Sequence, residues 1–180
     1  MTKNILYFIL IVLFTSSCKK SQPDGGIVID LSSDIRIVNK QGQNLLDPAT
    51  KNSLHKENIK TYYLIDGIKT EMYDGRLDYP RQFKIVNVGP QSMKYPNESI
   101  FEIFANPKGV PDKNGDEITT TYIEWNNADT DTLVTQIRHA GASIFIKKVW
   151  YNGAVTWDIT STPTVEDKTF PGRFFQIVKP

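Results

Sequence analysis

Cysteine is almost missing from this chain: Cys18 is the only one among 180 residues. One thiol cannot form an internal disulfide, so stability has to come from packing and strand pairing. Charge of one sign is missing too, with 21 Lys and Arg against 20 Asp and Glu. Removing residues 1–17 takes away Lys3 alone and leaves 20 basic against 20 acidic side chains. Without a basic cluster interleaved with aromatics, nucleic acid is excluded as the expected partner. Histidine is scarce, His55 and His139 standing far apart with no metal-ligand spacing around either. No Gly-x-Ser-x-Gly elbow and no phosphate-binding glycine loop is present, so no catalytic residue is assigned and no cofactor is expected. Acidic pairs occur, but only a measured separation and environment would select one for glycoside chemistry. A sustained helical period, an internal repeat and a low-complexity tract are also lacking.

The longest apolar run, Ile5 to Phe14, follows Lys3 and ends in Thr15-Ser16-Ser17-Cys18. It is too short to span a bilayer, which takes about 20 residues of helix, and has the build of a signal peptide over residues 1–17. Small residues leading into a cysteine resemble the bacterial lipobox, although Thr15 stands where that family usually has Leu. The resemblance implies lipidation: Cys18 becomes the new N-terminus, with a diacyl group on its sulfur. An ordinary secretory signal cleaved nearby is the alternative. Several acyl chains anchor stably where one does not, since each buried CH₂ contributes roughly 0.8 kcal/mol. Residues 18–26, with Pro23, Gly25 and Gly26, have the composition of a flexible tether.

The remainder, 27–180, suits one domain and carries the signals of an all-β fold. The clearest is the stretch Ala142 to Ile159, where runs of β-branched and aromatic residues flank Asn152-Gly153, the pair best suited to a type I′ turn. Counting from that turn sets Tyr151 against Ala154, Trp150 against Val155, Val149 against Thr156 and Lys148 against Trp157. One face then collects Ile144, Ile146, Trp150, Val155, Trp157 and Ile159, with Lys148 as its one polar member. That face is expected to be core, burying both tryptophans. Ile59 to Ile65 and Ile68 to Tyr73 form a second hairpin around Asp66-Gly67, with Ile59, Tyr63, Ile65, Ile68 and Met72 on a core face. Further short runs cover 83–88, 99–104, 118–126, 130–139 and 174–178, and an opening strand covers Ile27 to Leu31 or Asp34 to Val38. The spacing predicts an immunoglobulin-like antiparallel β-sandwich of about nine short strands, with a barrel as the second choice.

Two stretches point to ligands. Asp112, Asn114 and Asp116 have the alternate spacing with which an EF-hand loop begins to wrap calcium, making them the candidate metal ligands. The pattern breaks at Glu117 and Ile123, where Gly and Glu are required, so a plain turn between strands is the reading. Asn126, Asn127, Asp129 and Asp131 make a second polar bend that a hairpin turn explains.

Ser17-Cys18-Lys19-Lys20 resembles the lipoprotein start of the Bacteroidota. Gly42-Gln43-Asn44-Leu45-Leu46-Asp47-Pro48, followed by an Ile/Tyr-rich strand and an Asp-Gly turn, is similar to small Bacteroidota-type β-sandwich lipoproteins. The bend at Trp125 to Asp131 and the Asn152-Gly153 hairpin extend that similarity along most of the chain. Asp131-Thr132-Leu133 resembles that group's sequon for O-glycosylation. The resemblance implies a cell-envelope, outer-membrane location reached through the lipid anchor. Acidic residues after the cysteine accompany surface display in that group, and only Asp24 is present here, which leaves the membrane face open. Two functions fit: a noncatalytic envelope lipoprotein that contacts another protein or supports an assembly, or a glycan-binding accessory module using Trp125, Trp150, Trp157 and tyrosines. An enzyme is the third reading.

Overall fold

A computed structural model describes residues 26–90, 95–161 and 173–180. The signal segment, Cys18 and the tether up to Gly25 lie outside the described residues. The described chain is all-β, with no helix among the described residues. Its strands run β1 (Ile29–Asp30), β2 (Ser32–Val38), β3 (Lys60–Ile65), β4 (Ile68–Glu71), β5 (Phe83–Asn87), β6 (Ser99–Phe104), β7 (Val110–Pro111), β8 (Glu117–Asn126), β9 (Asp129–Ala140), β10 (Ser143–Tyr151), β11 (Ala154–Asp158) and β12 (Phe174–Val178). The expected strands, about nine, become 12 among the described residues. The additional ones are chiefly two-residue pairings, too short to leave an alternation in the sequence.

An eight-stranded sheet has the order β1-β10-β9-β8-β3-β4, with β11 beside β10 and β7 beside β8; a four-stranded sheet has the order β12-β2-β6-β5. The sheets are mixed, not purely antiparallel as expected, because β1 runs parallel to β10 and β12 parallel to β2. Both candidates for the opening strand form. The chain crosses from one sheet to the other at Leu31, so Ile29–Asp30 and Ser32–Val38 serve different sheets.

The inner faces of the two sheets share one core. Ile35 and Ile37 of β2, Phe101 and Ile103 of β6, and Phe175 and Ile177 of β12 meet Ile123, Trp125, Leu133, Ile137, Ile146 and Val149 of the larger sheet. Two ring contacts cross the gap. Phe101 meets Trp125 edge-on at 4.9 Å between centroids, and Tyr151 meets Phe175 at 5.5 Å.

Both hairpin turns form as expected, with positive φ at Asp66, Gly67, Asn152 and Gly153. In the first, Ile65 pairs with Ile68 and Tyr63 with Thr70. Ile59, Thr61 and Tyr63 are buried, but Ile65 and Ile68 at the tip are exposed because the hairpin outruns the opposing sheet.

The second hairpin departs from its expected register. Tyr151 pairs with Ala154 and Trp150 with Val155, after which the register shifts and Val149 pairs with Trp157. Against β9, Ile146 pairs with Ile137 and Lys148 with Gln136, which leaves Lys147 as an extra residue. The reason is electrostatic. With Ile146 inward, strict alternation would drive Lys148 into the core, where an unpaired ammonium is prohibitively costly. The β-bulge lets both lysines reach carboxylates, Lys147 on Asp116 at 2.5 Å and Lys148 on Asp158 at 2.8 Å.

Beyond the bulge the phase is inverted. Val149 and Tyr151 point inward and are buried, whereas Trp150 lies half-buried on the outer face with the Lys148 ammonium 5.3 Å from its ring. Val155 and Ile159, expected in the core, are exposed. Trp157 is half-buried against the core under the Arg173 guanidinium. The fully enclosed indole is Trp125, 1% exposed.

Trp125→Ala is therefore expected to cost about 3–5 kcal/mol of stability, and Trp150→Ala about 1 kcal/mol. Denaturant melts of the two variants check this; equal losses would contradict the inverted phase.

Candidate functional site

Most of the charged clusters are closed on themselves. The Asp131 carboxylate, buried near one end of β9, accepts from Trp125 Nε1 at 2.6 Å, Asn152 Nδ2 at 2.7 Å, the Tyr151 hydroxyl and Lys179 Nζ. Burial alone would push this carboxyl up, but the bonds from Asn152, Lys179, Tyr151 and Trp125 outweigh it and hold it below the usual carboxylate range. Tyr151 is raised by the same burial and by its bond to Asp131. Lys179 also meets Asp129 at 2.8 Å. The polar bend at 126–131 is thus a hairpin whose second strand carries a structural carboxylate, and Thr132 of the Asp131-Thr132-Leu133 sequence sits half-buried within that strand.

The candidate metal ligands form a turn. Asp112 Oδ1 accepts the backbone N–H groups of Asn114 and Asp116, and its Oδ2 accepts from Gln136. Asp116 is buried with Arg138 Nε at 2.7 Å and Lys147 at 2.5 Å on its carboxylate. Arg138 first, then Lys147, hold its carboxyl below the usual range against the opposing effect of burial. Asn114 is exposed. Among the described residues, no group of three or more His, Cys, Asp and Glu side chains is placed to hold a metal ion. His55 is exposed, and His139 lies 3.6 Å from the Glu117 carboxylate on the surface.

One open feature is a cleft on the outer face of the four-stranded sheet, at the corner where the chain crosses between sheets. Strand alternation builds its floor: Ser33, Ile35 and Ile37 point inward, so Ser32, Asp34 and Arg36 point outward. On β6, Phe101 and Ile103 are inward and Glu102 and Phe104 outward. The pairing aligns Lys84, Glu102, Asp34 and Phe174 in one row across β5, β6, β2 and β12. The segment between β4 and β5 supplies the far wall, held by Asp74 N–H to Pro80 O and Phe104 N–H to Gln82 O, each 2.9 Å. It lays Tyr79 against Phe104 with centroids 5.6 Å apart and planes within 20°. The resulting volume is about 640 Å³, with apolar walls from Ile29, Leu31, Leu77, Tyr79 and Phe104 and the carboxylates of Asp30, Asp78 and Glu102 at its margin.

The row beneath the cleft has unusual electrostatics. Asp34 is pushed up to about 6, first by burial and then by the neighbouring Glu102 carboxylate, with Arg173 and Lys84 opposing. Glu102 is paired with Lys84 at 3.0 Å, and the Lys84 ammonium lies 5.0 Å from the Tyr79 ring centre and 5.7 Å from that of Phe104. Asp30 takes Arg173, which also donates to Ser32 O at 2.5 Å.

A second hollow of about 760 Å³ at the Asp131 end is walled by side-chain amides, among them Asn39, Gln41, Gln43 and Asn52, and backs onto Lys179. Asn39 and Gln43 bond each other at 2.8 Å.

None of the cleft residues stands out in the sequence, since the cleft joins segments 29–32, 77–82 and 102–107. The available signal was an acidic residue inside each of two apolar strands, Asp34 and Glu102, which strand pairing makes neighbours. Comparison of the chain with protein-family models, curated proteins and solved structures found no match.

The raised Asp34 carboxyl gives a pH-dependent prediction. Its folded value lies above the ordinary 3.8, so the ionised form destabilises the fold above pH about 6 and the penalty disappears as pH falls below the unfolded value. Asp34→Asn is expected to stabilise the protein at pH 8 by about 1–2 kcal/mol, allowing for solvent screening, with the advantage vanishing near pH 4. Melts of both forms across that range check it; an advantage that grows on acidification would contradict the assignment.

Proposed function

We propose that the chain is a noncatalytic lipoprotein of the cell envelope, held at the outer membrane by lipid on Cys18 and contacting an envelope protein through its folded domain. The short apolar segment ending in Ser17-Cys18 supports the anchor. The observation that carries the binding role is the cleft beside Tyr79 and Phe104. Its apolar walls remain open, while the buried carboxylates of Asp116 and Asp131 are spent on internal partners. An immunoglobulin-like arrangement is the finer reading of the fold, supported by two sheets sharing one core and by the crossing at Leu31.

A glycan-binding accessory module is the second reading. Tyr79, 40% exposed beside carboxylates and Gln82, favours it, as does the outward placement of Trp150. Sugar sites combine such rings with amides and acids.

One experiment addresses anchor and partner together. The chain is expressed in envelope-bearing cells with a photo-crosslinking residue at Leu77, with and without Cys18→Ser. The wild type should remain with the membrane, take up a fatty-acid analogue and cross-link to a discrete protein, whereas Cys18→Ser should be released and unlabelled. Unchanged membrane retention by Cys18→Ser would overturn the anchor. Absence of any protein cross-link, together with binding on a glycan array, would favour the second reading.

A further inference from the structure

We infer that the cleft at Tyr79 and Phe104 binds a basic, apolar segment of a partner protein, one in which lysine or arginine side chains alternate with aliphatic ones. This rests on the protein-binding reading above and names its site and chemistry.

Charge complementarity is the first argument. The lining contains three acids, Asp30, Asp78 and Glu102, and no lysine, arginine or histidine, although Arg173 on Asp30 and Lys84 on Glu102 offset two of them from outside it. Asp34 adds a fourth carboxyl from the adjoining row. An anionic ligand, whether phosphate, nucleic acid or acidic polysaccharide, is repelled there.

The walls supply the second argument. Ile29 is 74% and Leu77 47% exposed, and with Leu31 they present aliphatic surface that offers a sugar no hydrogen bonds. Aliphatic side chains gain from covering it, because apolar surface is removed from water on both sides. A volume of about 640 Å³ takes a few side chains, not a globular surface.

The third argument is that three residues of the lining, Glu102, Tyr79 and Phe104, already hold an ammonium that comes from outside it. Lys84, from the neighbouring strand, puts its ammonium on Glu102 at 3.0 Å and over both the Tyr79 and Phe104 rings. A carboxylate beside aromatic faces is the environment in which an ammonium or guanidinium is held by ion pairing and cation–π attraction together. Lys84 is thus an internal competitor for the Glu102 carboxylate, and a partner's lysine or arginine in the cleft would pair with Glu102 in its place or with Asp78.

The test uses the full chain carrying Cys18→Ser, which keeps lipid and detergent out of the titration. Fluorescence polarisation follows three labelled hexapeptides, alternating Lys/Leu, Glu/Leu and Lys/Ser, and competition by a neutral hexasaccharide. The Lys/Leu peptide should bind in preference to the others. Asp78→Asn and Tyr79→Ala should each weaken it about fivefold, and Lys84→Ala should tighten it about threefold by freeing the Glu102 carboxylate. Asp47→Asn, on a distant exposed turn, should change nothing. The gain with Lys84→Ala is decisive because a misfolded variant cannot produce it. Equal binding of Lys/Ser, insensitivity to Asp78→Asn and Lys84→Ala, or binding of the hexasaccharide alone would overturn the inference. If the peptides fail while the Leu77 cross-link to a protein persists, the ligand chemistry is wrong and the binding role stands; if both fail, both fall.

Discussion

The structure depends on one buried carboxylate. Trp125 from β8, Tyr151 from β10, Asn152 from the following turn and Lys179 from beyond β12 all donate to Asp131 on β9. The first three belong to the eight-stranded sheet and its turn, whereas Lys179 follows a strand of the four-stranded sheet. The carboxylate therefore ties the two layers at that end. At the other end of β12, Arg173 reaches Asp30 and the Ser32 carbonyl, so the last strand is pinned by a cation on each side. A desolvated carboxylate with so many donors is favourable only as a complete set, because removing one partner leaves buried charge without compensation. Such a node specifies register as well as stability: a slip of β9 by one residue would turn Asp131 outward and abandon all four donors.

Charge compensation also decides what the surface offers. The β-bulge at Lys147-Lys148 exists because neither ammonium can be buried, and it turns Trp150 outward and Val149 inward. The same requirement raises Asp34, a carboxyl that strand pairing sets beside Glu102 at the edge of the cleft. Elsewhere the partly buried acids have found cations, Glu98 with Arg36 at 2.6 Å and Asp116 with Arg138 and Lys147. At the cleft margin the compensation is only partial, with Glu102 on Lys84 and Asp30 on Arg173 but Asp34 pushed up beside Glu102.

How much of this was legible depends on the range of the signal. Turn chemistry is local, so Asn152-Gly153 and Asp66-Gly67 declared both hairpins with the pairings nearest each turn correct. Alternation is legible only while its period holds. It failed at Lys147-Lys148, although the lone lysine on an otherwise apolar face was itself the mark of a bulge. The calcium-like spacing at Asp112, Asn114 and Asp116 was turn chemistry, since Asp112 bonds its own backbone two and four residues on. The cleft was beyond reach because Ile29, Tyr79 and Phe104 meet only after two sheets have formed. The parallel pairing of β12 with β2 was hidden for the same reason, having no turn between its strands to announce it.

The most direct measurement is a double-mutant cycle in denaturant melts, using Asp131→Asn, Lys179→Met and their combination. A tie between the layers predicts that each single variant loses about 3–5 kcal/mol and that the double variant loses well under the sum, because once one charge is gone the other has no partner to lose. Additive losses of less than about 1 kcal/mol each, the behaviour of a solvated surface pair, would contradict the claim that Asp131 holds the two sheets together.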